Sequence, residues 1–378
     1  MNTKIRIALT IFFLCHFALV NAQVKVAKID RSLWPYDLNS ADNFDYASKM
    51  EILVYAKCFM EIEGLNNVDE IKAKYNIKSA SLTSFDTWKK KQTDLVLQNL
   101  HAIKNKATLD KTIAIDKNCN WQDVSKAVVE MEAKMPENLK LWYANAVDFN
   151  RQYANELARL AFLFSRTSSE AMTLSNNEIT GNEYKDKTFL LTFDDGPTPA
   201  NGATDKLAVT LKKLNLNGIF FALGESLQNR INASSTSSVK QLYEGNLLDS
   251  HGQIHKSHQY LTTWKESIDY TFNAIESTKP FLNKRKYFRP PYGQRTEKVS
   301  QYLNSINATV MLWNIDSQDW NAKISAPEVN DRVVTLMLLW RKGIILFHDI
   351  HPKANEALPA MVKSLANSGV SFMDANKL

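Results

Sequence analysis

The chain is poor in cysteine, has no run of lysine and arginine longer than three residues, and carries only one long apolar stretch. Each shortage narrows what it can be. Cysteine occurs three times in 378 residues. Cys15 lies inside the N-terminal apolar stretch, so an exported chain keeps Cys58 and Cys119, enough for one disulfide or two buried thiols. The missing basic run removes the usual footprint for nucleic acid. The apolar stretch from Ile7 to Val20 falls short of the ~20 residues that a membrane-spanning helix needs. It follows Lys4 and Arg6 and leads into Val20-Asn21-Ala22, the pattern of an export signal over residues 1–22 cut near Ala22. An uncleaved anchor is the alternative. Leu14 before Cys15, where lipoproteins carry a small residue, argues against a lipid anchor. The expected location is therefore outside the cytoplasm: periplasmic, envelope-associated or secreted, and not integral to the membrane once the signal is cut.

Cutting the signal removes Lys4 and Arg6 and no acid, which lowers the formal charge of +6 by two. The remaining positive balance suits an anionic envelope or an acidic polymer, and equally an ordinary solvated surface. With 44% hydrophobic and 23% charged residues the composition is that of a folded soluble protein, and the length favours two domains.

Residues 40–165 contain few breakers and no strand alternation. Helical periods run over 44–64, over 84–106 with Phe85, Trp88, Leu95 and Ile103, and over 137–165 after Pro136. The expectation is an all-helical N-terminal domain over 23–165, whose role the residues do not reveal. From Ser165 the chain fills with Ser, Thr, Asn, Gly and charge, which reads as a linker over 166–186. Beyond it, over 187–378, the rhythm changes. Short β-rich runs near 188–193, 218–223, 287–289, 309–315, 343–348 and 370–373 alternate with helical periods such as Leu207/Leu211/Leu214 and Val329/Val333/Leu336/Trp340. Such alternation predicts a parallel α/β barrel or layered sheet, with chemistry at the carboxyl ends of the strands.

Two carboxylates sit at such an end. In "LLTFDDGPTP" (190–199), Asp194 and Asp195 close an apolar run, and side by side each raises the other's pKa unless a cation shares the site. Five of the seven histidines fall after residue 250. In "DSHGQIHKSH", His251 and His255 stand four apart, on one side of a helical turn or compact loop. Two histidines and a carboxylate with an open position form a common catalytic zinc arrangement. "YFRPPYG" (287–293) adds Arg289 before two stiffening prolines. "WNIDSQDW" (313–320) and "IILFHD" (344–349) add ionisable groups at the ends of expected strands.

In order and spacing these segments resemble the motifs of the polysaccharide deacetylases, the NodB homology domain of carbohydrate esterase family 4. The first resembles Thr192-Phe193-Asp194-Asp195-Gly196-Pro197, the second His251-Gly252-Gln253-Ile254-His255, and the third Arg289-Pro290-Pro291-Tyr292-Gly293. The fourth is similar to Asp316-Ser317-Gln318-Asp319-Trp320, and the fifth to Leu346-Phe347-His348. "GIFFALG" at 218–224 resembles a strand of the family. Any one motif is weak; five in order are specific. The resemblance covers about 187–378 and leaves the helical part unexplained. The family usually has Ser or Thr where this chain has Gly252, so a hydroxyl that would fix the loop is absent here.

The resemblance implies a distorted (β/α) barrel and a metal-dependent hydrolase that removes N-acetyl groups from an amino-sugar polysaccharide or oligosaccharide, releasing acetate. By the same resemblance, Asp195, His251 and His255 hold a divalent metal. The ligand set makes zinc the default and admits cobalt or nickel. Asp194 is implied as the base, Arg289 as the residue that orients it, and His348 as the acid for the leaving nitrogen. Of the pair Asp316/Asp319, Asp316 is the expected partner of His348. The backbone N–H of Tyr292 would face the oxyanion, and Trp320 and Leu346 would wall the acetyl pocket. His258 and His351 read as surface or loop residues that the pattern does not need.

Three rivals remain. A catalytically silent carbohydrate-binding member of the fold would be expected to have lost Asp194 or His348, and both are present. An aspartyl-nucleophile phosphatase spaces its acids one residue apart, whereas these are adjacent. An O-acetyl esterase on a xylan-type polymer shares fold and motifs. Export favours envelope glycan or exopolysaccharide as substrate, with chitin-like oligomers next.

Overall fold

The computed structural model describes residues 26–103, 113, 115, 118–164, 166–278 and 285–378. The expected export signal and Cys15 lie outside these residues. Among the described residues five α-helices come first: α1 (Ala41–Met60), α2 (Val68–Tyr75), α3 (Leu82–Ala102), α4 (Trp121–Ala133) and α5 (Lys140–Leu163). Ser40 opens α1 by accepting from the Asn43 N–H, and Asn120 with Asp123 closes a reciprocal capping box on α4. No described helix is long and apolar enough to cross a membrane.

The rest alternates strand and helix: β1 (Glu178–Ile179), β2 (Thr188–Asp194), α6 (Ala203–Lys213), β3 (Ile219–Ala222), α7 (Gly224–Ala233), α8 (Thr236–Leu242), β4 (Leu247–Ser250), α9 (Trp264–Glu276) and β5 (Lys286–Phe288). It continues with α10 (Glu297–Ser305), β6 (Ala308–Met311), β7 (Ile315–Asp316), α11 (Ala326–Trp340), β8 (Gly343–His348), α12 (Pro352–Ser364) and β9 (Ser371–Phe372). All pairings are parallel, in the order β1-β6-β5-β4-β3-β2-β8-β7, and β9 pairs with the start of β2. Buried on both faces, β2 reads as a continuous apolar run.

The expected strand 309–315 is split. Its first half is β6, near one end of the sheet, and its last residue opens β7, at the other end. Met311 and Ile315 are four residues apart, so those ends lie within roughly 14 Å of each other. An eight-strand path whose ends are that close must curl almost into a barrel. Gly181, at a φ of +96°, completes the approach: a Cβ there would fall 2.3 Å from the Ile344 nitrogen of β8. This is the distorted (β/α) barrel, preceded by helices.

The helical part and the sheet share one core. Most side chains of α11 are buried because it is enclosed between α1 on one side and α12 and the sheet on others. At its end Arg341 reaches Asp45 at 2.9 Å, Ser48 Oγ at 2.9 Å and Asp186 at 2.8 Å. Asn99 of α3 donates to the Leu339 carbonyl at 3.1 Å. The polar stretch expected as a linker, 166–186, is also built in: it supplies β1, and buried Glu178 takes Arg295 at 2.9 Å and Ser300 Oγ at 2.7 Å. Its polarity serves these buried partners, a use that composition does not distinguish from solvation. Cys58 and Cys119 are buried, and burial pushes the Cys58 thiol up to about 12, which leaves it inert.

Candidate active site

The carboxyl ends of β2, β4, β5 and β8 and the loop after β7 converge on one cavity of about 910 Å³. Asp194, Asp195, His251, His255, Tyr292, Asp316, Trp320, Leu346 and His348 all line it. Arg289 and Asp319 stand behind, fully buried, each holding a residue that faces the cavity.

The two adjacent aspartates part in role. Asp194 ends the ladder of β2, and its Oδ1 accepts from Arg289 Nη1 at 2.8 Å. Arg289 is itself locked by Thr192 Oγ1 and by the carbonyls of Met311 and Leu312, at 2.8, 3.0 and 3.1 Å. Burial pushes Asp194 up to about 6, with Arg289 and His348 pulling the other way. Asp195 leaves the strand at a φ of +82°, which turns its carboxylate toward His251 and His255. Its Oδ1 lies 3.4 Å from His251 Nε2 and 3.6 Å from His255 Nε2, and has no hydrogen-bond partner despite being buried.

His251 and His255 come from the compact loop after β4. His251 Nδ1 donates to the Arg289 carbonyl at 2.7 Å, so its Nε2 presents a lone pair to Asp195. Burial lowers the pKa of both imidazoles, most strongly for His251, which favours the neutral ligand form. One ligand atom from each of Asp195, His251 and His255 falls within 4.8 Å of the others. An orphaned carboxylate oxygen between two neutral imidazoles fits a divalent cation.

His348 ends β8. Here the expected pairing is corrected: Asp319, not Asp316, holds it. Asp319 Oδ1 accepts from His348 Nδ1 at 2.7 Å, and Oδ2 from the His348 backbone N–H at 2.9 Å. Asp316 is instead engaged by Gln318, through its backbone N–H and side chain, both at 2.8 Å. The left-handed Gln318, at a φ of +59°, reverses the chain and brings Asp319 under β8. Burial pulls His348 down, but the charge and hydrogen bond of Asp319, with the charges of Asp194 and Asp195, outweigh it and push the imidazole up to about 10.

Tyr292 holds a left-handed φ of +61° after the two prolines, and its exposed ring meets His255 edge-on at 4.4 Å. Trp320 is half exposed at the rim, and Leu346 is buried at the wall.

Two residues go beyond the sequence reading. Asp349, next to His348 in "LFHD", is buried and accepts the Gly196 N–H at 2.8 Å, which pins the turn after Asp195. His258, read as a surface or loop residue, is buried and accounts for Gly252. Its Nε2 meets Ser267 Oγ at 3.2 Å and its Nδ1 the Lys256 carbonyl at 3.1 Å. A Cβ on Gly252, at a φ of +82°, would fall 2.5 Å from His258 Cε1. His258 and Ser267, whose Oγ also accepts from Gln253 N–H at 2.8 Å, fasten the loop where the family's hydroxyl is missing.

Residues 181–311 match the sequence profile of the polysaccharide deacetylases. This part of the chain belongs to that family. The matched stretch of the deacetylase domain holds Asp194, Asp195, His251, His255, Arg289 and Tyr292 and ends before Asp319 and His348, which the fold brings to the same cavity. The chain is similar to a peptidoglycan-N-acetylglucosamine deacetylase of Listeria monocytogenes, with 31% identity over 201 residues, covering 51% of this chain and 39% of that protein. It is also similar to chitin deacetylase 1 of Saccharomyces cerevisiae, with 31% identity over 169 residues, 42% of this chain and 50% of that one. A family 4 carbohydrate esterase from Streptomyces lividans, solved in complex with acetate, shows 27% identity and a TM-score of 0.42 over 50% of this chain and 94% of its own. The chain thus spans half or less of the length of these two curated deacetylases.

Proposed function

We propose that the protein hydrolyses N-acetyl groups on an amino-sugar glycan, releasing acetate, with a divalent metal held by Asp195, His251 and His255. The observation that carries this reading is the separation of the two aspartates: Asp194 bound to Arg289, Asp195 with an orphaned oxygen between two histidines. An amide is a poor electrophile with a poor leaving group, so its hydrolysis needs an activated water, an oxyanion clamp and an acid. A cation at the triad would supply Lewis acidity toward the water and the acetyl oxygen. Asp194, kept in place by Arg289, takes the proton of the attacking water. The backbone N–H of Tyr292 is the added donor to the oxyanion. His348, kept protonated by Asp319, gives a proton to the leaving nitrogen.

The ligand chemistry makes zinc the first choice of ion, with cobalt or nickel also accepted. Relatives named for peptidoglycan and chitin support envelope glycan or chitin-like oligomers as the substrate class, outside the cytoplasm. The test is acetate release from N-acetylglucosamine oligomers, peptidoglycan and acetylated xylan, after chelation and after zinc is restored. Release from the first two only on adding metal supports the proposal. Release from xylan alone makes the protein an O-acetyl esterase, and release from none makes it a binding member of the fold.

A further inference from the structure

The helical part is a wall of the catalytic cavity. The same cavity that holds Asp195 and His348 runs on along α5, where it is lined at every turn from Gln152 to Leu163. That stretch of helix is about 16 Å long, more than the length of one sugar ring. The wall mixes two kinds of surface: Leu157, Leu160 and Trp340 are apolar, whereas Lys91 of α3 and Gln152, Glu156 and Arg159 of α5 are polar or charged. Glu156 and Arg159 occupy each other, at 2.7 and 2.9 Å. Other polar groups of the wall have no such partner. Lys91 is half-buried and makes no hydrogen bond or ion pair with a described residue. Glu170 is half-buried too, and no other described residue donates to its carboxylate. Burial pushes Glu170 up to about 7, against the pull of its own backbone, and the charges of Asp316 and Glu156 add to the rise. It therefore stands where the catalytic end meets α5. Gln152 Oε1 and Trp313 Nε1, both buried, also lack a hydrogen-bond partner.

Lys91 and Trp313 thus offer donors, Glu170 and Gln152 offer acceptors, and leucine and tryptophan side chains lie between them. Sugar units match such a wall: their ring faces are apolar, and each hydroxyl both donates and accepts. We infer that the glycan chain continues from the reacting sugar into this groove, where Lys91 donates to the oxygens of the neighbouring sugar units and Glu170 accepts from their hydroxyls. The inference rests on the deacetylase reading, and it gives the helical part a task, selecting chains over single sugars. Lys91, Gln152 and Glu170 all lie outside the residues matched to the family. A hydrogen bond to a charged group raises kcat/KM about tenfold or more.

The experiment compares acetate release by the zinc-loaded protein from the methyl glycoside of N-acetylglucosamine and from its pentamer. The pentamer is expected to exceed the methyl glycoside at least a hundredfold in kcat/KM. That ratio is expected to fall about tenfold in Lys91→Met and in Glu170→Ala, and to recover in Glu170→Gln, which can still accept a hydroxyl. Neither side chain has a protein partner to lose, so both variants are expected to melt as the parent does. Calorimetry of the pentamer on zinc-loaded Asp194→Asn, with and without Lys91→Met, reads binding apart from turnover. Pentamer binding that Lys91→Met weakens tenfold, with no acetate release from any substrate, would leave the groove standing and overturn the deacetylase reading. Acetate release with an unchanged ratio in Lys91→Met and Glu170→Ala would overturn the groove and leave the deacetylase. A disaccharide bearing a peptide that outruns the pentamer would assign the groove to peptide and overturn the inference.

Discussion

Asp319→Asn keeps the shape of the His348 partner and removes its charge. In the parent, His348 stands at about 10 against an ordinary 6.5, because the charges of Asp319, Asp194 and Asp195 and the 2.7 Å bond from Asp319 together outweigh burial. Without the Asp319 charge and hydrogen bond, burial is opposed only by the charges of Asp194 and Asp195, and the His348 pKa falls. The sign follows from its role as acid: activity needs the protonated imidazole and is lost as pH rises through its pKa. For each pH unit by which the assay stands above the lowered pKa, kcat falls about tenfold. The assay is a pH profile of kcat for acetate release from an N-acetylglucosamine oligomer, parent and variant side by side. The parent loses activity below about 6, where Asp194 takes up a proton, and above about 10, where His348 gives one up. The variant keeps the acid limb, and its alkaline limb moves to lower pH. An alkaline limb that stays near 10 in Asp319→Asn, or that moves only in Asp316→Asn, would refute the pairing.

Arg289→Met strands the buried Asp194 carboxylate and is expected to cost about 3–5 kcal/mol in denaturant unfolding along with all activity, so a loss under 1 kcal/mol would contradict the anchoring role. Gly252→Ala meets both the left-handed φ and the His258 ring and should cost about 1–3 kcal/mol, a cost that adding His258→Ala partly relieves; independent effects in that double-mutant cycle would show that the two residues do not touch. Arg341→Met leaves Asp186 without its partner, while Asp45 keeps Lys187 at 2.9 Å, and is expected to cost about 3 kcal/mol. Because α1 and α11 share one core, that variant should still melt in a single calorimetric transition, and two separate transitions would contradict the shared core.

How much of this was legible depends on length and on partners. β2 and β8 are long apolar runs and stand out. β4 is four residues ending in Asp249 and Ser250, and it is a strand because β3 and β5 flank it. β1 lies in a stretch of polar composition whose polarity serves buried partners, so composition pointed to a linker. The ligands and Asp194 carried their own spacing, whereas the choice between Asp316 and Asp319 turned on one left-handed residue, Gln318, that no periodicity announces. On α5 the half-buried Leu157, Leu160 and Leu163 alternate along the sequence with Ala158, Ala161 and Phe162, which fill the core. Only the packed structure separates the two.

The account rests on a division of labour between two neighbouring carboxylates, and a paired measurement tests it directly: zinc binding by calorimetry and acetate release for Asp194→Asn and Asp195→Asn. Asp194→Asn is expected to bind one zinc per chain with an affinity near the parent's and to release no acetate, whereas Asp195→Asn is expected to lose zinc binding and activity together. Equal loss of zinc in both variants, or acetate release from zinc-loaded Asp194→Asn at the parent rate, would contradict it.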